Sequence, residues 1–301
     1  MKKNILITGA SGYVGAMLCD QLLQNEEVLN IIAIDKEKPD ELLLEVIENN
    51  KDRIFFIHKN LFNQTWTEDV KRIEQEKDFT INTVIHTAWQ IREMYGKKTK
   101  QWNWNVAGSD NVFDYVFGNN IPKLVHFSTV ASYGAYSSNE LDYRFTEEDQ
   151  FRKSDYLYAE EKRIVEENLN NKYHQALSGG YKGQIAIIRP AAITGTRGRL
   201  GRIRFGLQSA LSGTLKKEKS FVYTIVTKMT KFTPVTKKWL RQFVHEDDIV
   251  NLTILLALRD LPKDYEPFNI CPPGDVVLGQ DMADAVQKKP LKLNPQAIRF
   301  V

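Results

Sequence analysis

The sequence predicts an α/β fold in which a parallel sheet is covered by helices on both faces. Three observations carry that expectation. Short apolar, β-branched runs recur along the first two-thirds of the chain without polar alternation, as strands buried on both faces require. Stretches with helical spacing of apolar residues lie between them, giving a β-α-β-α order. The first run ends in a glycine-rich turn that opens directly into a helical pattern, the local signature of a Rossmann-type doubly wound sheet.

The elements follow in order. Asn4–Thr8 (NILIT) is the first strand, and Val14, Leu18, Leu22 and Leu23 then recur on one helix face. Further strands are expected at Ile31–Ile34, Ile54–Ile57, Thr83–His86, Lys123–Ser128 and Gln184–Ile188, with helices at Asn105–Phe117 and Asp155–Leu169. The pattern weakens after Pro190. One helix is expected near Ile203–Leu211, another at Asp247–Leu258, then a strand at Phe268–Ile270 and a short helix near Asp281–Val286. This divides the chain into a Rossmann domain of residues 1–197 and 241–272 and a smaller C-terminal substrate-binding lobe of residues 198–240 and 273–301. Ligands of open α/β sheets bind outside the carboxyl ends of the strands, so the lobe is expected at that edge.

Thr8-Gly9-Ala10-Ser11-Gly12-Tyr13-Val14-Gly15 spaces its glycines as GxxGxxG. Glycines there let the chain turn tightly and bring backbone close to a pyrophosphate, while the helix N-terminus offers unpaired N–H groups to the phosphates. The alternative is a purely structural turn. Asp35 closes the second strand, 26 positions after Gly9. A carboxylate at that point accepts hydrogen bonds from an adenosine ribose and repels a 2′-phosphate, which favours NAD over NADP. Lys36 beside it offsets part of that repulsion.

Tyr158 and Lys162 are four residues apart in a helical pattern and therefore share a face. A phenol with a free pKa of ~10 is a poor base near neutrality. An adjacent ammonium favours the phenolate and would bring the group into range for proton transfer.

Taken with Phe127-Ser128-Thr129-Val130-Ala131-Ser132-Tyr133-Gly134 upstream, the chain resembles the extended short-chain dehydrogenase/reductases, the NAD-dependent epimerase/dehydratase family. The resemblance keeps the motif order over nearly the whole chain. The resemblance implies that Gly9, Ser11, Gly12, Tyr13, Val14 and Gly15 cradle the cofactor and that Asp35 and Lys36 meet its ribose. Asn60-Leu61 is similar to the Asp-Leu/Ile pair that touches adenine, with Asn for Asp. His86-Thr87-Ala88 resembles the strand end beneath the cofactor, and Asn105-Val106-Ala107-Gly108-Ser109 the NVxGT helix start. Arg189-Pro190 resembles the motif whose proline lies near the nicotinamide. Arg241-Gln242-Phe243-Val244-His245 resembles R-x-F-V-H, and Phe268-Asn269-Ile270 the strand after it. The catalytic set implied is Thr129, Tyr158 and Lys162, with Ser128 as the rival hydroxyl or a substrate contact. Lys162 would hold the nicotinamide ribose and depress the tyrosine pKa.

Family dehydratases carry Thr-Asp-Glu where this chain has Thr129-Val130-Ala131, so water elimination lacks its extra proton-moving groups. The resemblance therefore implies an epimerase acting on a nucleotide sugar by reversible hydride transfer, with Arg241 pairing with the substrate diphosphate. Between Arg197 and Arg241 twelve basic residues face the single acid Glu218, a local net of +11 in a chain whose total is +3. Such a segment suits an anionic small molecule. Family epimerases commonly have Asn where Ala192 stands, which weakens the match to a nucleotide sugar. The alternatives are a reductase or dehydrogenase of a non-nucleotide alcohol or ketone, with Phe221, Tyr223, Ile225, Val226, Met229 and Phe232 as pocket lining, and a non-catalytic NAD-binding sensor or scaffold. A lipid-headgroup or nucleic-acid surface around Trp239 and Phe232 has only the charge in its favour.

Composition bounds the rest. Hydrophobic residues make up 42% of the 301-residue chain, enough for a sizeable core. Two widely separated cysteines, Cys19 and Cys271, argue against a disulfide framework or a zinc site, and no histidine spacing suggests a metal. The N-terminus runs straight into a strand, leaving no room for a signal peptide, so a reducing, cytoplasmic setting is expected. The most apolar run, Ile249 to Leu258, is too short to span a bilayer. His86 and His245 are expected to be structural. Trp102 and Trp104 are expected to wall the site or a contact between copies, since family members form homodimers through the helices matching 105–117 and 155–169. The family continues with more of the substrate lobe than Val301 allows, so that lobe is expected to be cut short.

Overall fold

The computed structural model describes residues 2–134, 136, 138–140, 142–197, 232–235, 240–272, 274, 276–285 and 287–292. It divides into two compact units, residues 1–191 with 246–270 and residues 192–245 with 271–301.

The first unit is a Rossmann fold. Seven strands form its sheet: β1 (Lys3–Thr8), β2 (Val28–Asp35), β3 (Ile54–His58), β4 (Thr83–His86), β5 (Lys123–Phe127), β6 (Gln184–Pro190) and β11 (Tyr265–Ile270). Their order is β11-β6-β5-β4-β1-β2-β3, and every pair is parallel. The order reverses at β1, so the crevice beyond the carboxyl ends of β1 and β4 is the topological switch point. The strand interiors are buried without alternation because helices cover both faces.

The helices are α1 (Tyr13–Leu23), α2 (Glu41–Asn49), α3 (Trp66–Lys77), α4 (Lys98–Trp102), α5 (Gly108–Gly118), α6 (Leu157–Ser178) and α7 (Glu246–Leu258). Asp40 caps α2 by accepting from the Leu43 N–H at 3.0 Å. A π-helical turn, Asn103–Ala107, joins α4 to α5. The helix expected from Asn105 thus begins seven residues earlier, because Gln101 is buried and anchors the extra turn. The core behind β4 and β5 gathers Trp66, Val84, Val112, Phe113, Leu124 and Val165. The Trp66 indole N–H donates to the Leu61 carbonyl at 3.2 Å, so its burial leaves no unpaired donor.

Among the described residues the second unit contains three two-stranded pairs. β7 (Ala192–Thr194) runs parallel to β10 (Phe243–His245), and β8 (Phe232–Val235) parallel to β13 (Lys289–Lys292). β9 (Leu240–Arg241) pairs antiparallel with β12 (Val277–Leu278), which is followed by the short α8 (Gly279–Ala285). The expected helix at Ile203–Leu211, the candidate lining from Phe221 to Met229, and most of the basic segment lie outside the described residues. No helix among the described residues is long and apolar enough to cross a membrane.

Candidate active site

The expected site residues of the first unit follow the carboxyl ends of successive strands. Thr8 ends β1, Asp35 ends β2, His86 ends β4, Phe127 ends β5 and Pro190 ends β6. The register sets Thr8 opposite both Ile34 and His86.

The glycine loop is packed backbone to backbone. Gly9 has φ +75°, and a Cβ there would lie 2.5 Å from the Ala88 nitrogen. A Cβ on Gly15 would lie 2.2 Å from the Gly9 carbonyl oxygen. Both positions exclude a side chain, which is the cradle a pyrophosphate needs. Gly12 precedes α1 with no side-chain cap, so the first N–H groups of that helix remain for a ligand. Asp35 fixes the loop from the neighbouring strand, accepting from Ser11 and Glu37 N–H groups at 2.9 Å each. Burial raises its pKa against those two bonds. The Lys36 ammonium pairs with Glu37 at 2.6 Å and lies 4.3 Å from the centre of the Trp104 ring. Trp104 therefore stands by the end of β2, and Trp102 is exposed.

The other positions expected to border a cofactor, and His86 beside them, have defined local partners. The Thr87 hydroxyl donates to the Thr8 carbonyl at 2.8 Å. The Asn60 side chain accepts from Phe62 N–H at 3.0 Å, while Leu61 packs into the core. Asn105 is fully buried, and both ends of its amide are engaged. Its oxygen accepts from Gln90 N–H at 2.7 Å; its nitrogen donates to the Gln90 carbonyl at 3.0 Å and to Glu161 at 2.7 Å. His86 bridges Thr8 at 2.6 Å and Ser109 at 2.9 Å, and burial lowers its pKa to about 3. It is a neutral structural link between β1, β4 and α5.

At the other end, α6 and the turn after β5 bring Thr129, Tyr158 and Lys162 together. Thr129 caps a 3₁₀ turn, Val130–Tyr133, by accepting from Ala131 N–H at 3.2 Å, and its side chain acts on the Tyr158 phenol. Burial pushes the Tyr158 phenol up to about 12, with the Thr129 side chain opposing the rise. Lys162 is buried, its ammonium donates to the Phe127 carbonyl, and desolvation pushes its pKa down to about 7. The sequence led us to expect the lysine to depress the tyrosine; here the phenol is governed by its burial, and the ammonium is turned to a backbone carbonyl. Ser128 is buried, with its N–H bonded to the Ile188 carbonyl at 2.8 Å and its hydroxyl without a partner. Ser132, Trp89 and His126 also hold buried polar atoms without partners.

Three features escaped sequence reasoning. The Trp89 ring lies 3.7 Å from the Lys162 ammonium and edge-on to Tyr158. Glu161 is buried and accepts from Gln101 at 3.2 Å and from Asn105. Tyr13, inside the glycine loop, hydrogen-bonds the buried Glu246 at the start of α7. Arg241 belongs to the second unit and is exposed on β9. No cluster of three metal-ligating side chains occurs among the described residues.

The family model that matches this chain is the NAD dependent epimerase/dehydratase family, over residues 5–271. The chain belongs to this family. NAD is thus the cofactor of the enzyme family to which the chain belongs. A curated relative, an uncharacterized protein of Methanocaldococcus jannaschii, is 30% identical over 177 residues. That match covers 54% of this chain, and the chain spans about half the length of the relative, 50%. Among solved structures, a UDP-N-acetylglucosamine 4-epimerase from Methanobrevibacter ruminantium M1, in complex with UDP-N-acetylmuramic acid, is similar with TM-score 0.69 and 19% identity. The match covers 98% of this chain and 87% of that one. A UDP-glucuronic acid 4-epimerase from Bacillus cereus, in complex with UDP-glucuronic acid and NAD, is similar with TM-score 0.68 and 20% identity. It covers 97% of this chain and 86% of that one. At these identities the likeness establishes the shared Rossmann fold.

Proposed function

We propose that this family member is an NAD-dependent epimerase of a nucleotide sugar, with Tyr158 as general base. The observation that carries the reading is the gathering of Thr129, Tyr158 and Lys162 at the carboxyl end of β5, where Thr129 opposes the rise of the Tyr158 pKa and Lys162 donates to the last carbonyl of that strand. Gly9, Ser11, Gly12, Tyr13, Val14 and Gly15 would hold the pyrophosphate. Asp35, with Lys36 drawn away to Glu37, would hold the ribose of NAD in preference to that of NADP. Asn60 and Leu61 would border the adenine; Thr87, Ala88, Asn105 and Pro190 would support the rest of the cofactor. When bound, NAD supplies a reversible two-electron acceptor. Thr129 orients the substrate oxygen, and Tyr158 takes its proton and returns it. Lys162 supplies the positive charge that a phenolate at Tyr158 requires, so activation of Tyr158 depends on that ammonium leaving the Phe127 carbonyl. Val130 and Ala131 follow Thr129 with no acid or base for dehydration.

The second unit supplies the substrate lobe in this reading, with Arg241 on the diphosphate through a bidentate guanidinium contact. The test is thermal stabilisation by UDP- and GDP-sugars, in wild type and Arg241→Ala. A rise in Tm with at least one nucleotide sugar, diminished in the variant, is expected; no shift with any of them contradicts the assignment. Ala192 opens β7 with a methyl side chain and favours a second reading, a reductase of a non-nucleotide carbonyl. Stoichiometric NADH turnover would select it. A homodimer through α5 and α6 would use a polar face, on which Asp110 pairs with Asn168 at 3.1 Å and Asp114 with Lys172.

A further inference from the structure

We infer that Trp89 is a positioning residue of this site, whose indole face holds the Lys162 side chain and keeps its buried ammonium charged when the cofactor binds. The inference rests on the NAD reading above and deepens it.

A lysine ammonium has three donors and is strongly hydrated in water. Lys162 is only 3% exposed. Its one hydrogen-bond acceptor among the described residues is the Phe127 carbonyl, and no carboxylate there lies within ion-pair distance. An ammonium so placed sheds its proton unless something nearby favours the charge. The charged and titratable groups around it give little help. Glu166, one turn along α6, favours the charge, but its carboxylate is bonded to Arg189. Glu161 directs its carboxylate to Gln101 and Asn105. On β4 and β5, burial holds His86 and His126 neutral. Tyr158 is held as the neutral phenol. The remaining feature is the Trp89 ring, 3.7 Å from Nζ to its centroid. A cation on a tryptophan face gains ~0.5–2 kcal/mol, with the larger values in desolvated sites.

The ring is held in place by α6 itself. Gln90, next in the chain, exchanges two hydrogen bonds with Asn105, whose amide also reaches Glu161. Gln101 joins Glu161 to the Met94 N–H at 2.7 Å. A buried network rooted beside Lys162 thus fixes the segment that carries Trp89. The indole N–H has no acceptor among the described residues, while the ring has two partners there, Lys162 and Tyr158. The same ring meets Tyr158 edge-on, with centroids 6.3 Å apart. One side chain therefore touches both members of the proton-transfer pair.

The experiment has two arms. In cofactor-free protein, total tryptophan emission is followed against pH in wild type, Trp89→Phe and Lys162→Met. A titration near neutral pH is expected in wild type and is expected to vanish in both Trp89→Phe and Lys162→Met. The same titration persisting in either variant overturns the inference, as does its absence from wild type. In the second arm, NAD affinity is measured by calorimetry against pH for wild type, Trp89→Phe and Trp89→Leu. The charged lysine is present below its pKa, so affinity falls as pH rises through it. Trp89→Leu should move that midpoint down by about one pH unit, with Trp89→Phe, which keeps an aromatic face, in between. An unmoved midpoint in Trp89→Leu contradicts the inference. If wild type binds no NAD at any pH, the functional reading fails, while the cofactor-free titration still decides the Trp89–Lys162 pair.

Discussion

At the glycine loop, close approaches are made by backbone. Gly9 meets Ala88, Gly15 meets the Gly9 carbonyl, and the Asp35 carboxylate takes two N–H groups from the loop and its neighbour. At the Tyr158 end, side chains make the contacts, several buried polar atoms lack partners, and the two key groups sit far from their usual protonation ranges. The first region is preorganised by shape and tolerates no added atom. The second is held by electrostatics among groups that are each costly to bury. A ligand would find the loop already formed, whereas the charge distribution around Tyr158 depends on what binds there.

That contrast is open to attack in order of effect. Tyr158→Phe keeps the ring and its contact with Trp89 but removes the hydroxyl. Turnover should fall ~10²–10⁴-fold while NAD affinity, by calorimetry, stays within a few-fold. A comparable loss of affinity would mean that the two regions are not separable. Gly15→Ala attacks the other end. Forcing a methyl against the Gly9 carbonyl costs about 1–3 kcal/mol, so NAD should bind roughly tenfold to a hundredfold more weakly, and the apo protein should melt earlier. Unchanged binding would show that the loop yields.

The third effect, comparable to Gly15→Ala only over a pH unit or so, is a pH dependence of stability. Lys162 has its folded-state pKa lowered from 10.5 to about 7. Between those values the unfolded chain holds more protons, so wild-type stability should gain from rising pH by at most about 1.4 kcal/mol per unit. That contribution is lost as pH falls through 7. Denaturant melts of wild type and Lys162→Met without cofactor should diverge in slope over this window; parallel curves would place the ammonium in solvent.

The same division explains what could be read in the sequence. The strands were legible because burial on both faces leaves unbroken β-branched runs, as at Ile31–Ile34. α3 was not, since Trp66 and Val70 are its only buried residues in a charged segment, too few to register as a period. α2 carried a readable signal, Asp40 ahead of an apolar run, that went unused. In the site, GxxGxxG and Tyr-x-x-x-Lys are local patterns and could be found by spacing alone. Trp89 meets Lys162, and Gln101 meets Glu161, across gaps of more than fifty residues, which no local pattern encodes. Helical spacing sets Lys162 and Tyr158 on a shared face but says nothing about which acceptor a buried ammonium finds, here the Phe127 carbonyl.

The most direct measurement combines NMR and absorbance on one sample: purified protein with NAD and a panel of UDP-, GDP- and dTDP-sugars. One nucleotide sugar should convert to an equilibrium mixture of two epimers with no net NADH formed, and Tyr158→Phe should abolish the conversion. Net NADH accumulation matched to product, or conversion unaffected by loss of the Tyr158 hydroxyl, would contradict the epimerase reading.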